Sequence, residues 1–353
     1  MDARRRPRLH FTPRRGWIND PHGVVWADGR YHLFFQYNPA GTSWSAAVHW
    51  GHATSADLVT WEEQPVALAP EPGELGCWSG SVVLSDSGAP TLFYTRVLAD
   101  ALARGQVARA LGDPTLSRWR REPRGSVVVT PPADVVAFRD PFVWRASDGW
   151  RMVVGARLRD GVGAALQYRS ADLRDWAYDG VVTQRPSSET AGAWTGSMWE
   201  CPQLFPLDGT WVLLVSVLHD SALNGVAYAL GDYDGCTFKP QVWGEFGRGG
   251  QMYATTTFLD VDGRRCAMSW LREAGGAPAG SPWSGALSVP WVLRVEGDLL
   301  LADPHPNLRA YRGDEAPWPQ DGAAGVRAMI VDADIVEMTF EGVSGITTTR
   351  RPV

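Results

Sequence analysis

Three acids share one local form, in which the carboxylate is followed at once by a turn residue and then by an apolar, strand-like run. Asp20 lies in Trp17-Ile18-Asn19-Asp20-Pro21-His22-Gly23, Asp140 in Phe138-Arg139-Asp140-Pro141-Phe142, and Glu200 in Trp199-Glu200-Cys201-Pro202-Gln203. A carboxylate and a protonated carboxylic acid flanking an acetal bond are the minimum needed to cleave it. The anion attacks or steadies the oxocarbenium-like carbon, and the acid protonates the leaving oxygen. Each role needs its own pKa, so the two environments must differ. Trp199 and Cys201 give Glu200 an apolar setting expected to raise its pKa, which suits the acid/base. The Asn19 amide beside Asp20 favours an ionised nucleophile. Arg139 is expected to hold Asp140 ionised, which fits it to bind substrate hydroxyls better than to donate a proton. A lone Asp-Pro usually caps a turn, but three such acids spaced 120 and 60 residues apart need an architectural cause.

That cause is an internal repeat. Short Asp/Gly turns precede apolar strands at Asp28-Gly29, Asp86-Ser87-Gly88, Asp148-Gly149, Asp208-Gly209 and Asp262-Gly263, at spacings of 58, 62, 60 and 54. Such a turn between alternating apolar segments signals a hairpin, because it needs residues that tolerate positive φ. A second phrase echoes the period: Ser55 to Trp61 and Ser170 to Trp176 match, and Asp113 to Trp119 is a degenerate copy. Helical periodicity is missing, while Gly, Pro and Asp punctuate strand-length segments. Five units of about 60 residues predict an all-β fold, a five-bladed β-propeller with a short C-terminal β-strand extension. A β-sandwich lacks this period, and the coils of a β-helix are shorter. The innermost strands should begin at Asp20, Ser79, Asp140, Glu200 and Tyr253, so the three acids are expected at matching positions facing one pocket.

Other residues could line that pocket. Trp78 and Ser79 open the second unit in the same register, and Gln36, Asn38 and Trp44 carry amide and indole groups useful against sugar hydroxyls. His49 and His52 fall in a strand-like run with no third ligand spaced for a metal, so a structural role is expected. Gly161-Val162-Gly163 lacks the third glycine of a dinucleotide site. The net charge of -6 offers no field for nucleic acid or an anionic membrane, and no apolar run is long enough to span a bilayer. The four cysteines have no metal or disulfide-dense spacing, and without a signal-like segment a cytoplasmic location with reduced thiols is expected. Eighteen tryptophans suit both strand packing and sugar binding.

Composition shifts near the C-terminus. Residues 1–310 are expected to form the propeller, 311–325 a linker, and 326–353 a few short strands too small to stand alone. Their apolar members Met329, Val331, Ile335, Met338 and Phe340 should dock against the propeller, with a two-fold homodimer as a second possibility and a disordered tail as a third.

At these residues the chain resembles glycoside hydrolase family 32, the invertases, levanases, inulinases and related fructosidases. Trp17 to Gly23, Phe35 to Pro39, His49 to Ser55, Cys77 to Ser81, Phe138 to Pro141 and Trp199 to Pro202 are similar to its signature segments, in order, over roughly residues 9 to 310. The resemblance implies Asp20 as nucleophile, Asp140 as transition-state stabiliser and Glu200 as acid/base. It implies contacts to the fructosyl unit from Asn19, Gln36, Trp44, Ser79 and Arg139, with Trp17 and Trp78 beside them, and no cofactor or metal. Two segments depart from the family pattern, Ser45 to His49 and Gln251 to Thr255, and the family's C-terminal β-sandwich is matched only by the strands after Gly325. The expected activity is a retaining exo-β-fructofuranosidase acting on sucrose or a related small β-fructoside. Fructosyl transfer on the same scaffold and a non-catalytic carbohydrate-binding propeller remain alternatives.

Overall fold

The computed structural model describes residues 6–121, 127–273, 276–277, 280–311 and 325–350. Its strands form five sheets, each built as an antiparallel meander in chain order. The first strands are Gly16–Ala27, Gly76–Leu84, Ala137–Ala146, Met198–Leu207 and Met252–Leu259. Each contacts the first strand of the next sheet, and the fifth contacts the first, so these five strands close a ring. The molecule is all-β with a propeller-like arrangement. The ring is sealed where Trp283–Ser284 adds in parallel to Gly16–Trp17. Gly285 makes that approach possible: it has φ 82°, and a Cβ there would meet the Ile18 carbonyl oxygen at 2.2 Å.

The Asp/Gly turns fall where the sequence predicts. Asp28 and Gly29 have φ 48° and 72°, and Asp208 and Gly209 have φ 48° and 85°, the doubly left-handed hairpin turn that follows the right-handed twist of paired strands. The echoed phrase is a turn too. The Ser55 hydroxyl accepts from the Asp57 and Leu58 N–H groups while Asp57 Oδ1 accepts from Val59 and Thr60, and Ser170 and Asp172 repeat the pattern. The copy at Asp113 to Trp119 keeps the left-handed leucine, Leu116, and the indole bond from Trp119 to its carbonyl.

The C-terminal strands Val326–Asp332, Ile335–Phe340 and Val343–Arg350 extend the fourth sheet, with Ile346 and Thr347 pairing in parallel to Gly247 and Arg248. They therefore dock on the chain's own propeller. The face they bury differs from the one expected. Ala328, Ile330, Ile335, Val336 and Ile346 are buried, the first three and Ile346 in one core cluster with Trp291 and Leu300, whereas Met329, Val331, Met338 and Phe340 are only half-buried. Residue alternation in the strand starting at Val326 is one step out of the predicted phase, which turns every side chain to the other face. Of the expected linker 311–325, Tyr311 ends a short 3-10 helix and Gly325 is the turn residue just before the first of these strands; residues 312–324 lie outside the described residues.

Candidate active site

All five first strands carry a β-bulge near their start, between Ile18 and Pro21, Trp78 and Gly80, Arg139 and Phe142, Glu200 and Gln203, and Tyr253 and Thr256. A bulge kinks the strand and re-aims its side chains, here at one end of the ring. In three of the strands the first bulged residue is forced left-handed: Asp140 at φ 67°, Cys201 at 46° and Ala254 at 49°. Such strain in non-glycine residues persists only where the surroundings hold it.

The bulges also correct the expected register. Glu200 is the last residue before its bulge, Asp140 the first inside its own, and Asp20 the second inside its own. The acids thus converge from neighbouring, not identical, register positions. The position of Glu200 is held by Ile18, Trp78, Arg139 and Tyr253 in the other strands.

The three acids, with Trp78, Arg139 and Tyr253, line a cavity of about 500 Å³. Of the predicted residues, Trp17, Asn19, Asp20, Gln36, Trp44, Trp78, Arg139, Asp140 and Glu200 face it. Ser79 lies just behind, donating to Asp20 Oδ2 at 2.6 Å. A closed network fixes Asp20: Trp17 Nε1 donates to Asn19 Oδ1 at 3.1 Å, and Asn19 Nδ2 donates to Asp20 Oδ1 and Gln36 Oε1, both at 2.9 Å. Gln36 Nε2 then donates to Ser79 Oγ at 2.5 Å and to Asp20 Oδ2 at 3.3 Å. The Asp140 carboxylate accepts from the Cys201 backbone N–H at 3.0 Å, and its own N–H donates to Thr95 Oγ1 at 2.8 Å. The Cys201 sulfur sits between the two aspartates, 3.6 Å from Asp20 and 3.7 Å from Asp140. Trp44, half exposed, packs edge-on against Trp78 at the rim, and the Arg139 guanidinium lies over the Trp78 ring.

The electrostatics differ from the sequence expectation. Glu200 is not in an apolar setting: Arg139 Nε donates to Oε1 at 2.7 Å and the Tyr253 hydroxyl to Oε2 at 2.6 Å. Arg139 therefore spends its hydrogen bond on Glu200, not on its neighbour Asp140. Burial and the Glu200 charge push Asp140 up to about 7, against the pull of Arg139. Burial also raises Asp20, with the Ser79 and Asn19 bonds opposing it and the Glu200 charge adding to it. Burial and the neighbouring acids likewise keep Tyr253 and Cys201 protonated, as donors. Three carboxyl groups share one guanidinium in a desolvated pocket, so they cannot all ionise easily and the cluster retains a proton near neutrality.

The model of the glycosyl hydrolases family 32 N-terminal domain matches residues 10–304. The chain belongs to that family. Among curated relatives of this family 32 chain, the Escherichia coli sucrose-6-phosphate hydrolase is 34% identical over 84% of this chain and 64% of its own length. The Bacillus subtilis levanase is 35% identical over 89% of this chain and 49% of its own. The chain thus spans about half to two thirds of the length of these relatives. A solved Bombyx mori GH32 β-fructofuranosidase superposes with a TM-score of 0.84 at 25% identity, covering 98% of this chain and 88% of that one. The fructan 1-exohydrolase IIa of Cichorium intybus superposes at 0.82 with 22% identity, over 98% and 91%.

Sequence reasoning did not name Tyr253, Trp270, Leu218, Ser221 and Leu223 as site residues, though all line the cavity. Tyr253 was within reach, because the fifth repeat begins there and its register equals that of Glu200. Leu218, Ser221 and Leu223 flank a hairpin tip of the fourth sheet, where nothing in the repeat marks them. Among the described residues one other cluster has metal-ligand types in reach, the buried Asp260, Cys266 and His305. Its Asp260 carboxylate already holds Arg264 at 2.9 Å and His305 Nε2 at 3.1 Å, while His305 Nδ1 accepts from the Asn307 N–H. The imidazole has no lone pair left for a cation, so this cluster ties the fifth sheet to the segment after it. His52 pairs with His32 at 3.0 Å inside the first sheet, the structural use expected for it.

Proposed function

We propose that this chain is the catalytic propeller of a retaining β-fructofuranosidase, its five sheets serving as five blades around the pocket. The observation that carries the reading is the convergence of Asp20, Asp140 and Glu200 on one cavity, with a single guanidinium among them. Asp20, oriented by Asn19, Gln36 and Ser79, attacks the anomeric carbon of the fructosyl unit, and Glu200 protonates the leaving oxygen. Glu200 then activates water to release fructose. Asp140 takes hydrogen bonds from fructosyl hydroxyls. Those donors favour its anion, offsetting the burial that raises the pKa of the unliganded carboxyl.

Relatives named sucrose-6-phosphate hydrolase, raffinose invertase and levanase, and a solved Bombyx mori relative with sucrose bound, support a β-fructoside as substrate. The likeness favours hydrolysis over fructosyl transfer, and the intact acids argue against a purely binding role. No described helix is long and apolar enough to cross a membrane, and all four cysteines are free thiols. We place the enzyme in the cytoplasm on that thiol chemistry.

The decisive experiment is sucrose turnover by Asp20→Asn, read beside its circular dichroism. Loss of activity with an unchanged fold is expected, and a near-native rate would remove Asp20 from the nucleophile's role. Glu200→Ala should lose far more activity on sucrose than on an aryl fructoside, whose leaving oxygen needs little protonation. A bell-shaped pH profile of kcat/KM should accompany these, rising as Asp20 ionises and falling as the proton the mechanism needs is lost.

A further inference from the structure

Arg272 stands behind the pocket wall, at the end of strand Arg265–Leu271 and just past the cavity-lining Trp270. Its guanidinium carbon lies over the Tyr253 ring, 5.7 Å from the ring centre, and the Tyr253 hydroxyl is the group that donates to Glu200. The backbone around it is fastened from two sides. The Arg272 N–H donates to the Gln251 carbonyl at 2.8 Å, and its guanidinium donates to the Gly250 carbonyl, both just ahead of Tyr253. From the C-terminal strands, Arg350 donates to the carbonyls of Leu271 and Arg272, each at 3.4 Å.

A half-buried guanidinium normally faces a carboxylate, but the neighbouring acid Glu273 turns instead to Ser284, the Gly285 N–H and Arg350. Among the described residues the Arg272 Nε is buried with no hydrogen-bond partner. Burial lowers its pKa, and the Tyr253 phenol is the group that opposes the shift. The charge of Arg272 is therefore directed at the acid cluster through one aromatic ring.

Resting on the function proposed above, we infer that Arg272 is a positioning residue for the acid/base: it clamps Tyr253 in the pocket wall and polarises the phenol, so that the hydroxyl donates more strongly to Glu200. A cation over an aromatic face is held by the negative face of the ring and draws electron density toward itself. A phenol polarised in this way is a better donor, and its bond gains most when the acceptor carries a full negative charge. Glu200 becomes such an acceptor as it passes its proton to the leaving oxygen. The other groups facing the Glu200–Tyr253 pair are Arg139, Asp20, Asp140 and Cys201, all in the pocket. A second guanidinium placed among them would pair with the aspartates. Arg272 acts from behind the wall, where it supports Glu200 and leaves the aspartates alone.

The test is the pH profile of kcat/KM on sucrose for the wild type, Arg272→Lys, Arg272→Met, Tyr253→Phe and the double variant Arg272→Met with Tyr253→Phe. Without the cation the acid holds its proton more tightly, so the descending limb of Arg272→Met should move to higher pH by about half a unit. Arg272→Lys keeps the charge and should leave the limb near its wild-type position. KM should change little in both, because Arg272 does not line the cavity. In the Tyr253→Phe background the Arg272→Met shift should shrink, since the hydroxyl that carries the effect is gone. Should Arg272→Met fail to fold, Arg272→Gln takes its place, keeping a donor for the Gly250 carbonyl without the charge. An unmoved limb in the uncharged variant, an equal shift in Arg272→Lys, or a full shift without the Tyr253 hydroxyl would overturn the inference while leaving the proposed function standing. A wild type that cleaves no β-fructoside would overturn both.

Discussion

At the pocket, Asp20, Asp140 and Glu200 share the charge of Arg139; beneath the C-terminal strands, Asp332 and Glu337 share that of His10. Both clusters are buried, yet they are balanced in opposite ways. In the second, His10 bridges the acids, with Nδ1 2.9 Å from Asp332 and Nε2 3.0 Å from Glu337. Asp332 also accepts from the backbone N–H groups of Arg8, Leu9 and His10, and Glu337 from Val289 and the Trp291 indole. Although burial alone would lower it, His10 is held up at about 9 by the two acids, and Asp332 is drawn down to about 2 in spite of its burial. Every shift there favours the ionised form. At the pocket the aspartates shift the other way. The latch joins the N-terminal segment, the fifth sheet and the C-terminal strands; the pocket gives three hydrogen-bonded carboxyl groups one guanidinium between them, so its aspartates hold their protons more tightly, a condition suited to the proton transfer proposed above.

The largest expected effect is on rate. If Asp20 is the nucleophile, as proposed, Asp20→Asn should lower kcat on sucrose by about four orders of magnitude or more, with little change in melting temperature. His10→Ala should do the reverse. It strands Asp332 and Glu337 without their cation, and breaking a buried ion pair from one side costs about 3 to 5 kcal/mol. Denaturant unfolding would measure it, and sucrose turnover by the surviving folded protein should stay within about twofold of wild type. A latch variant of native stability would show that the backbone donors alone suffice for the two acids.

The contrast also explains what the sequence disclosed. The repeat and its Asp/Gly turns were legible because hairpins are local, and their φ requirement is written in residue type at fixed spacing. The three acids were legible because each sits beside the bulge that aims it. Partner choice was not: Arg139 neighbours Asp140 in sequence, yet the bulge inside that strand sends it to Glu200 from another sheet. Nor could the latch be read, because His10 lies more than 320 residues from its acids and none of the three sits in the repeat. The phase of the strand starting at Val326 was equally hidden, since Met329 and Val331 are as apolar as Ala328 and Ile330, and only the docking surface decides between them.

A smaller effect carries the opposite sign. Asp140→Asn should raise stability by about 1 to 3 kcal/mol at pH 8, because it removes a charge the pocket does not fully compensate while keeping an acceptor for the Cys201 N–H. Catalysis should be lost in the same variant. Asp332→Asn, the same exchange in the latch, should lower stability. If both exchanges moved stability in one direction, the proposed difference in charge balance between the two clusters would be wrong.

The finest test is the pH dependence of stability, where the clusters act in successive windows. Asp140 is an acid whose folded pKa is raised, so the folded state binds its proton more tightly, and stability falls as pH rises from about 4 through about 7. His10 is a base whose folded pKa is raised. Its contribution is complete below about 6.5 and is lost as pH rises through about 9, amounting to about 3 kcal/mol if the whole shift is realised. Asp332, with its folded pKa lowered, contributes above about 4 and loses that contribution as pH falls through about 2. Melting temperatures measured from pH 4 to pH 10 should therefore decline in two stages for the wild type. Asp140→Asn should flatten the first stage alone and His10→Gln the second alone. A decline between pH 6.5 and 9 that survives His10→Gln would mean that the latch imidazole is neutral in the folded protein, and that Asp332 and Glu337 are held by their backbone and indole donors instead.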